Sequence, residues 1–318
     1  MTRFWIQLCF ATLLVLAFFK VRGEAQPDTF GQVVPGVWFR QGDIMNKGHC
    51  NNAVIEMQDG LVVIDANFPS GARALLEDIH KVSSKPVKFV FDTHHHGDHA
   101  YGNPVWTKLG AVTFAYQGVA EEMKRYEPAR WAGTKRPDVQ ELQLATAEPP
   151  QKTFTKSPYV IEDSTRRIEF HFFGWAHTRG DGFAYLPKER ILCTGDAVVD
   201  GPYNNVDDAN IGNWPKVVAA AQKKDPLYVL PGHGPRGGKE ILTGQRAFFE
   251  ELHRAVTKEF KAGKKIDDLV TFEGKNAKTT TIHLTDGVKT WVGNGFAHQV
   301  ALAFREVAEN KPAGDLAK

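Results

Sequence analysis

Apolar positions in this chain recur at two spacings, two and roughly four residues, and the change between them marks out its elements. Residues 36–40 and 53–57 are short apolar or alternating runs, and residues 61–64 are wholly apolar. Asp59-Gly60 stands between the last two runs. This predicts a tight antiparallel hairpin, since the pair readily takes the backbone conformation of a two-residue turn. Ala72, Leu75, Leu76 and Ile79 share one face at helical spacing, which predicts a helix over 70–81 with Ser70 as its cap. Residues 87–91 follow as a mostly apolar, buried-type strand. Strand, helix and strand in that order predict an α/β layer.

The same reading predicts a strand at 111–115 and a helix at 117–125. Residues 130–158 are rich in Pro, Thr and Lys and lack a period, so a long connection is expected there. Strands resume at 159–162, 167–173, 183–186 and 191–193. A helix is expected at 215–224, with Asn213 near its cap, and a strand at 227–230. Phe248, Leu252, Val256 and Phe260 stand four apart and predict a long amphipathic helix over 240–261. A strand-like run at 279–284 precedes a closing helix at 296–308. Two mixed halves result, with no linker between them.

Composition narrows the class. The 318 residues carry 24% charged and 42% hydrophobic side chains, an ordinary globular balance. Three cysteines rule out a disulfide scaffold. A net charge of +2 gives no case for a nucleic-acid partner. Residues 1–26 stand apart. Arg3 precedes a nearly unbroken apolar run from Phe4 to Phe19, which Lys20 ends. Small residues follow at Gly23 and Ala25. The run is shorter than the roughly 20 residues of a membrane span and reads as a cleavable secretory signal. That predicts a periplasmic or secreted protein with no stable membrane span once the signal is removed. The segment holds three basic residues and one acid, so residues 27–318 are formally neutral. The mature chain would keep Cys50 and Cys193, which an oxidising compartment would allow to pair.

The candidate chemistry lies directly after the strand at 87–91, in Thr93-His94-His95-His96-Gly97-Asp98-His99. Imidazoles mixed with a carboxylate suit a catalytic zinc better than a structural one. A strand end running into a loop can aim His94 and His96 at one ion. A turn through Gly97 can aim Asp98 and His99 at a second. His95 then points away and reads as a packing histidine.

The pattern His94-x-His96-x-Asp98-His99 resembles the metal-binding signature of the metallo-β-lactamase superfamily. Four further segments resemble its other motifs, in order: Val62-Val63-Ile64-Asp65, the stretch from Gly174 through His177 to Asp181, Leu192 to Asp196, and Leu230 to Gly234. The resemblance spans about residues 34–235. It implies a four-layer αββα sandwich over 27–261, with 262–318 as a short C-terminal extension packed on the same domain. It also implies two Zn2+ per chain, with iron or manganese as alternatives. His94, His96 and His177 would hold the first metal, and Asp98, His99 and His233 the second. Asp196 would bridge them, and Asp65 would support the histidine loop. The implied activity is hydrolysis of a small-molecule ester, thioester, lactone or β-lactam. A metal-bridging hydroxide would attack the carbonyl, with Asp98 orienting it and moving its proton.

Departures from the pattern bear on the substrate. Asp196 stands where the cysteine-bearing lactamases have Cys, and Val199 where they have the Lys that binds the drug carboxylate. The run from Thr93 to Asn103 is similar to glyoxalase II, but that enzyme's glutathione-binding helical domain has no clear counterpart here. Phe68, Tyr101, Trp131 and Tyr203 are candidate pocket aromatics. Cys193, on an apolar strand, reads as a buried small residue rather than a nucleophile. Two other readings compete: a mononuclear iron, persulfide-oxidising oxidoreductase, and a non-catalytic metal-binding homologue.

Overall fold

The computed structural model describes residues 28–316 of the chain. The signal-like segment at 1–26 lies outside the described residues. A first sheet runs in chain order through β1 (Thr29–Val34), β2 (Val37–Gln41), β3 (Asn52–Glu56), β4 (Leu61–Ile64), β5 (Val87–Asp92), β6 (Val112–Tyr116) and β7 (Lys152–Phe154). Pairing is antiparallel up to β4 and parallel from β4 to β7. The second sheet has the order β12-β11-β10-β9-β8, from β8 (Tyr159–Glu162), β9 (Arg167–Phe172), β10 (Gly182–Leu186), β11 (Ile191–Cys193) and β12 (Tyr228–Leu230).

Side-chain alternation explains why the sheets stack. Ala53 and Ile55 of β3, Val62 and Ile64 of β4, Ala184 and Leu186 of β10, and Ile191 and Cys193 of β11 share one buried cluster between the sheets. Their neighbours point outward, as period two requires. Val54, Leu61 and Val63 meet α1 (Pro69–Val82) and the short α3 (Asn103–Thr107), which follows the one-turn α2 (Gly97–Ala100), on one outer face. Phe183, Leu192 and Val229 meet α6 (Trp214–Gln222), α7 (Lys239–Lys261) and α8 (Phe296–Glu309) on the other. Four layers result, α-β-β-α. At about 25 cal/mol per Å² of apolar surface removed from water, these three clusters are the main force joining the layers.

The 59–60 hairpin forms, with Met57 N–H donating to the Gly60 carbonyl at 2.9 Å. Several boundaries differ from the sequence reading. The first helix is capped at Phe68 with Pro69 at its first position, not by Ser70. Proline has no N–H to satisfy there and its fixed φ favours the first turn, so Ser70 lies inside the helix. α4 spans Gln117–Gly133 and runs through Pro128, well past residue 125. A proline costs an interior helix bond, yet Val119, Met123 and Trp131 on either side are all buried in one cluster and outweigh it. The expected connection therefore shortens, and it holds α5 (Pro137–Gln140) and edge strand β7 as well. The run at 279–284 is mostly not a strand. β13 (Val270–Glu273) pairs with β14 (Asn276–Thr280) across a turn where Gly274 takes φ +61°. β1 has no clear alternation and is an exposed edge strand, which hides it from a periodicity reading. Cys50 and Cys193 are both free and buried. Among the described residues, no helix is long and apolar enough to cross a membrane.

Candidate metal centre

Every candidate donor leaves the fold at the carboxyl end of a strand, where an open parallel sheet leaves a crevice. Asp65 follows β4, the 93–99 loop follows β5, Asp196 follows β11 and His233 follows β12. His177 lies in the connection from β9 to β10. Because β5 belongs to one sheet and β11 and β12 to the other, the site sits on the seam between them. Asn51 ties the seam: its side-chain amide donates at 2.8 Å to the carbonyls of Pro231 and Gly234. Asp65 takes a positive φ of 67°. Its Oδ1 accepts from the backbone N–H and hydroxyl of Thr93, both at 2.8 Å, and its Oδ2 accepts from His99 Nδ1 at 2.9 Å. One carboxylate thus anchors both ends of the histidine loop.

Hydrogen-bond partners fix which ring nitrogens remain lone pairs. His96 donates from Nε2 to Asp208 Oδ2 at 2.8 Å, so its Nδ1 is bare. His177 donates from Nδ1 to the Asn205 carbonyl at 2.9 Å, so its Nε2 is bare. These two bare nitrogens face each other at 3.0 Å, and neither can donate to the other. The Thr93 hydroxyl is spent on Asp65, so it can only accept from His94 Nδ1 at 3.2 Å, and buried His94 Nε2 has no hydrogen-bond partner. Three lone pairs converge, which a cation satisfies and a proton does not. Beside them, His99 Nε2 lies 3.4 Å from Asp98 and 3.3 Å from Asp196. His233 Nε2 is 3.2 Å from each of the same two carboxylates. Asp196 also reaches to 3.8 Å from His177 Nε2, so it touches both groups. The donors at each position lie within 4.8 Å of one another, and neutral imidazole with carboxylate is the donor chemistry of a divalent ion such as zinc.

Residues 45–233 match the family model of the metallo-beta-lactamase superfamily. The chain belongs to that superfamily. A type 2 metallo-beta-lactamase of Bacteroides fragilis is 29% identical over 114 residues, which are 34% of this chain and 45% of that protein. The match thus spans about half the length of that relative. A metallo-beta-lactamase structure from Pontibacter korlensis superposes with a TM-score of 0.59 at 21% identity, covering 70% of this chain and 98% of the other. One from Hirschia baltica gives 0.56 at 23% identity, with coverages of 70% and 98%. Identities this low speak for the fold. Membership and the donor groups together support a metal-dependent hydrolase in the general sense.

In this superfamily member the electrostatics split the site in two. Burial disfavours charge on His94 and His177, and neighbouring imidazoles add to it. His94 is held well below the usual range and His177 is pushed down to about 4. Burial opposes charge on His233 as well, but Asp196 and Asp98 outweigh it and raise the group to about 9. His99 is raised for similar reasons, with Cys50, Asp196, Asp98 and Asp65 around it. Asp98 and Asp196 are lowered against their burial by His99 and His233. His95 is fully buried; it accepts from Arg130 at 2.8 Å, and its Nε2 lies 3.5 Å from Asp208, the carboxylate that accepts from His96.

The four candidate pocket aromatics divide. Phe68 is half-buried beside Gly97, and Tyr203 is half-buried with its ring 6.0 Å from His233. Tyr101 and Trp131 are buried, the Tyr101 ring lying beside Gly97 and Phe68. They pack edge to face at 4.9 Å in a closed cluster, with the Tyr101 hydroxyl on Glu127 and Trp131 Nε1 on the Leu144 carbonyl. Trp131 lies within α4 and Tyr101 directly after the short helix Gly97–Ala100, and the sequence pattern did not reveal the inward face of either.

Three residues that shape the site had no role assigned from the sequence: Asp181, Asp208, which stands in the 199–214 loop that the resemblance places beside the metals, and Arg130. Asp181 was visible at the end of the His177 motif. Its carboxylate accepts from the N–H groups of Ala176, His177 and Thr178 and from the Thr178 hydroxyl, at 2.7–3.0 Å. Burial pushes it up to about 7 against those four donors. Asp181→Ala leaves three buried N–H groups unsatisfied, at about 1 kcal/mol or more each. A loss on the order of 3 kcal/mol is expected in urea unfolding; an unchanged midpoint would contradict this role.

Proposed function

We propose that this protein is a dinuclear zinc hydrolase that cleaves an ester, thioester, lactone or β-lactam. The observation that carries the reading is the shared carboxylate: Asp196 touches His177 on one side and His99 and His233 on the other. On this reading His94, His96 and His177 hold one metal, Asp98, His99 and His233 the other, and Asp196 serves both. Bound there, the metal pair supplies Lewis acidity and a water acidic enough to ionise near pH 7. The chain's own residues do the rest. Asp65 and Asp181 hold the two histidine loops. His96, Gly97 and Asp98 form the half-buried lip through which a substrate enters. Asp98, an anion at neutral pH, is the group at that lip able to orient a water and accept its proton. Phe68 and Tyr203 flank the lip and offer apolar surface to the substrate.

The Val199 position lacks the cation that would bind a lactam carboxylate, which favours a neutral acyl substrate. On the same reading, 1–26 is a secretory signal and the mature protein works outside the cytoplasm, with 27–261 as the catalytic domain and 262–318 as an extension of it. The test is metal analysis of purified protein beside a panel of lactones, thioesters, esters, β-lactams and phosphoesters. About two zinc ions per chain and hydrolysis of an acyl compound are expected. One iron per chain with thiol-dependent oxygen uptake would overturn the reading.

A further inference from the structure

The two rings whose bare nitrogens face each other take their orientation from one irregular loop. Asp208 fixes His96 and the Asn205 carbonyl fixes His177, at 2.8 and 2.9 Å. Residues 198–213 contain no helix or strand. Something else must hold this loop, because a floppy acceptor cannot set a ring.

Part of the hold comes from within the family match, where Trp175 Nε1 donates to the Asp208 carbonyl and Asn210 N–H to the Ala176 carbonyl, both at 2.8 Å; the rest comes from the chain beyond residue 233, past the end of that match. Gln299 of α8 donates to the Asn204 carbonyl at 2.7 Å, one residue from the acceptor of His177. Glu306 of α8 accepts from the N–H groups of Ile211 and Gly212, at 3.0 and 2.6 Å, and from Ala313 at 2.8 Å. Gly314 N–H donates to the Ala209 carbonyl at 2.8 Å. A Cβ on Gly314 would stand 2.6 Å from the backbone carbon and oxygen of Asp208, so the C-terminal turn lies directly on that residue. Arg130 closes the other side, donating to Asp208 Oδ2 at 2.7 Å.

We infer that the C-terminal segment, through Gln299, Glu306 and Gly314, is a positioning device for the His94–His96–His177 metal position. It clamps the 198–213 loop so that His96 presents Nδ1 and His177 presents Nε2 to one ion. The inference rests on the reading of those three histidines as one metal's donors. Partners that orient a ligating histidine are typically worth ten- to a hundredfold in metal affinity, and the clamp acts through two such partners.

The experiment is zinc titration of the full-length protein against a competing chelator, with near-UV circular dichroism as the check of fold. His96→Ala should lose one ion. Asp208→Asn and Gly314→Val should weaken one ion by about ten- to a hundredfold and leave the other unchanged. General destabilisation would not divide the two sites in that way. Imidazole 15N NMR should show His96 losing its Nε2–H tautomer in both. Should Gly314→Val fail to fold, Gln299→Leu carries the same expectation with a smaller change in volume. A folded Gly314→Val or Gln299→Leu protein with both affinities unchanged overturns the clamp alone. Retention of both ions by His96→Ala overturns the metal assignment and the clamp with it.

Discussion

Replacing Asp98 with Asn should lower kcat by on the order of 10²–10⁴-fold, the usual worth of a positioned general base. The side chain is 19% exposed, enough to meet a substrate, while its Oδ2 lies 3.2 Å from His233 and 3.4 Å from His99. Burial alone would raise its pKa, but the two imidazoles hold it below the usual carboxylate range. It is therefore an anion throughout the neutral range. Asparagine keeps the shape and one acceptor but loses the charge and the ability to take a proton. Asp196 is the contrasting case. It is more deeply buried and touches both donor groups, so Asp196→Asn should remove metal as well as turnover. Asp98→Asn should bind the second metal more weakly, and when measured on the best substrate of the panel at saturating zinc, with both ions loaded, it should still lose its rate. Full turnover in that variant would exclude Asp98 from the chemistry.

Much of the fold was legible because its strands alternate cleanly. β3, β4, β10 and β11 each divide their side chains between an inter-sheet core and a helical layer, and that division is written as period two. The donors were legible because they cluster in short runs at strand ends. What stayed hidden depends on contacts distant in sequence. Asp208 looks like any loop aspartate until His96, 112 residues earlier, is found on its Oδ2. Arg130 lies in a stretch without period, and Pro128 disguised the helix that carries it. The burial of Tyr101 and Trp131 in one cluster was hidden as well, because sequence shows that an aromatic is near a site, not which way it points. The C-terminal extension gave no motif at all; its contacts with the 198–213 loop run through the Gln299 and Glu306 side chains and the Gly314 backbone, all bonded to backbone groups about 95 residues or more earlier, which no composition or period can encode.

Stripping the metal should destabilise the protein and give it a stability maximum near pH 6.5. The sign follows from each group in turn. His233 is raised from 6.5 to about 9, so its contribution is complete below 6.5 and is lost as pH rises through 9. His99 is raised and acts in the same direction. His177 is lowered from 6.5 to about 4, so the unfolded chain binds its proton first and stability falls as pH drops from 6.5 towards 4. His94 is lowered too and adds to that loss. Asp98 and Asp196 are depressed below 3.8, and their contribution disappears only in stronger acid. The metal-loaded protein is nearly flat above 6.5, because neither its ligand histidines nor those of the unfolded chain hold a proton there. Its ligands must be unprotonated, so binding tightens with pH while the metal-free form weakens. One site held at a thousand times its Kd contributes about 4 kcal/mol, or roughly 10 °C in Tm for a chain of this size. Thermal unfolding with excess zinc and with chelator, at pH 6.5 and pH 9, reads both effects. The gap between the two Tm values should be near 10 °C or more at pH 6.5 and wider at pH 9. A gap that narrows or stays constant would mean that His99 and His233 exchange their protons for something other than a metal.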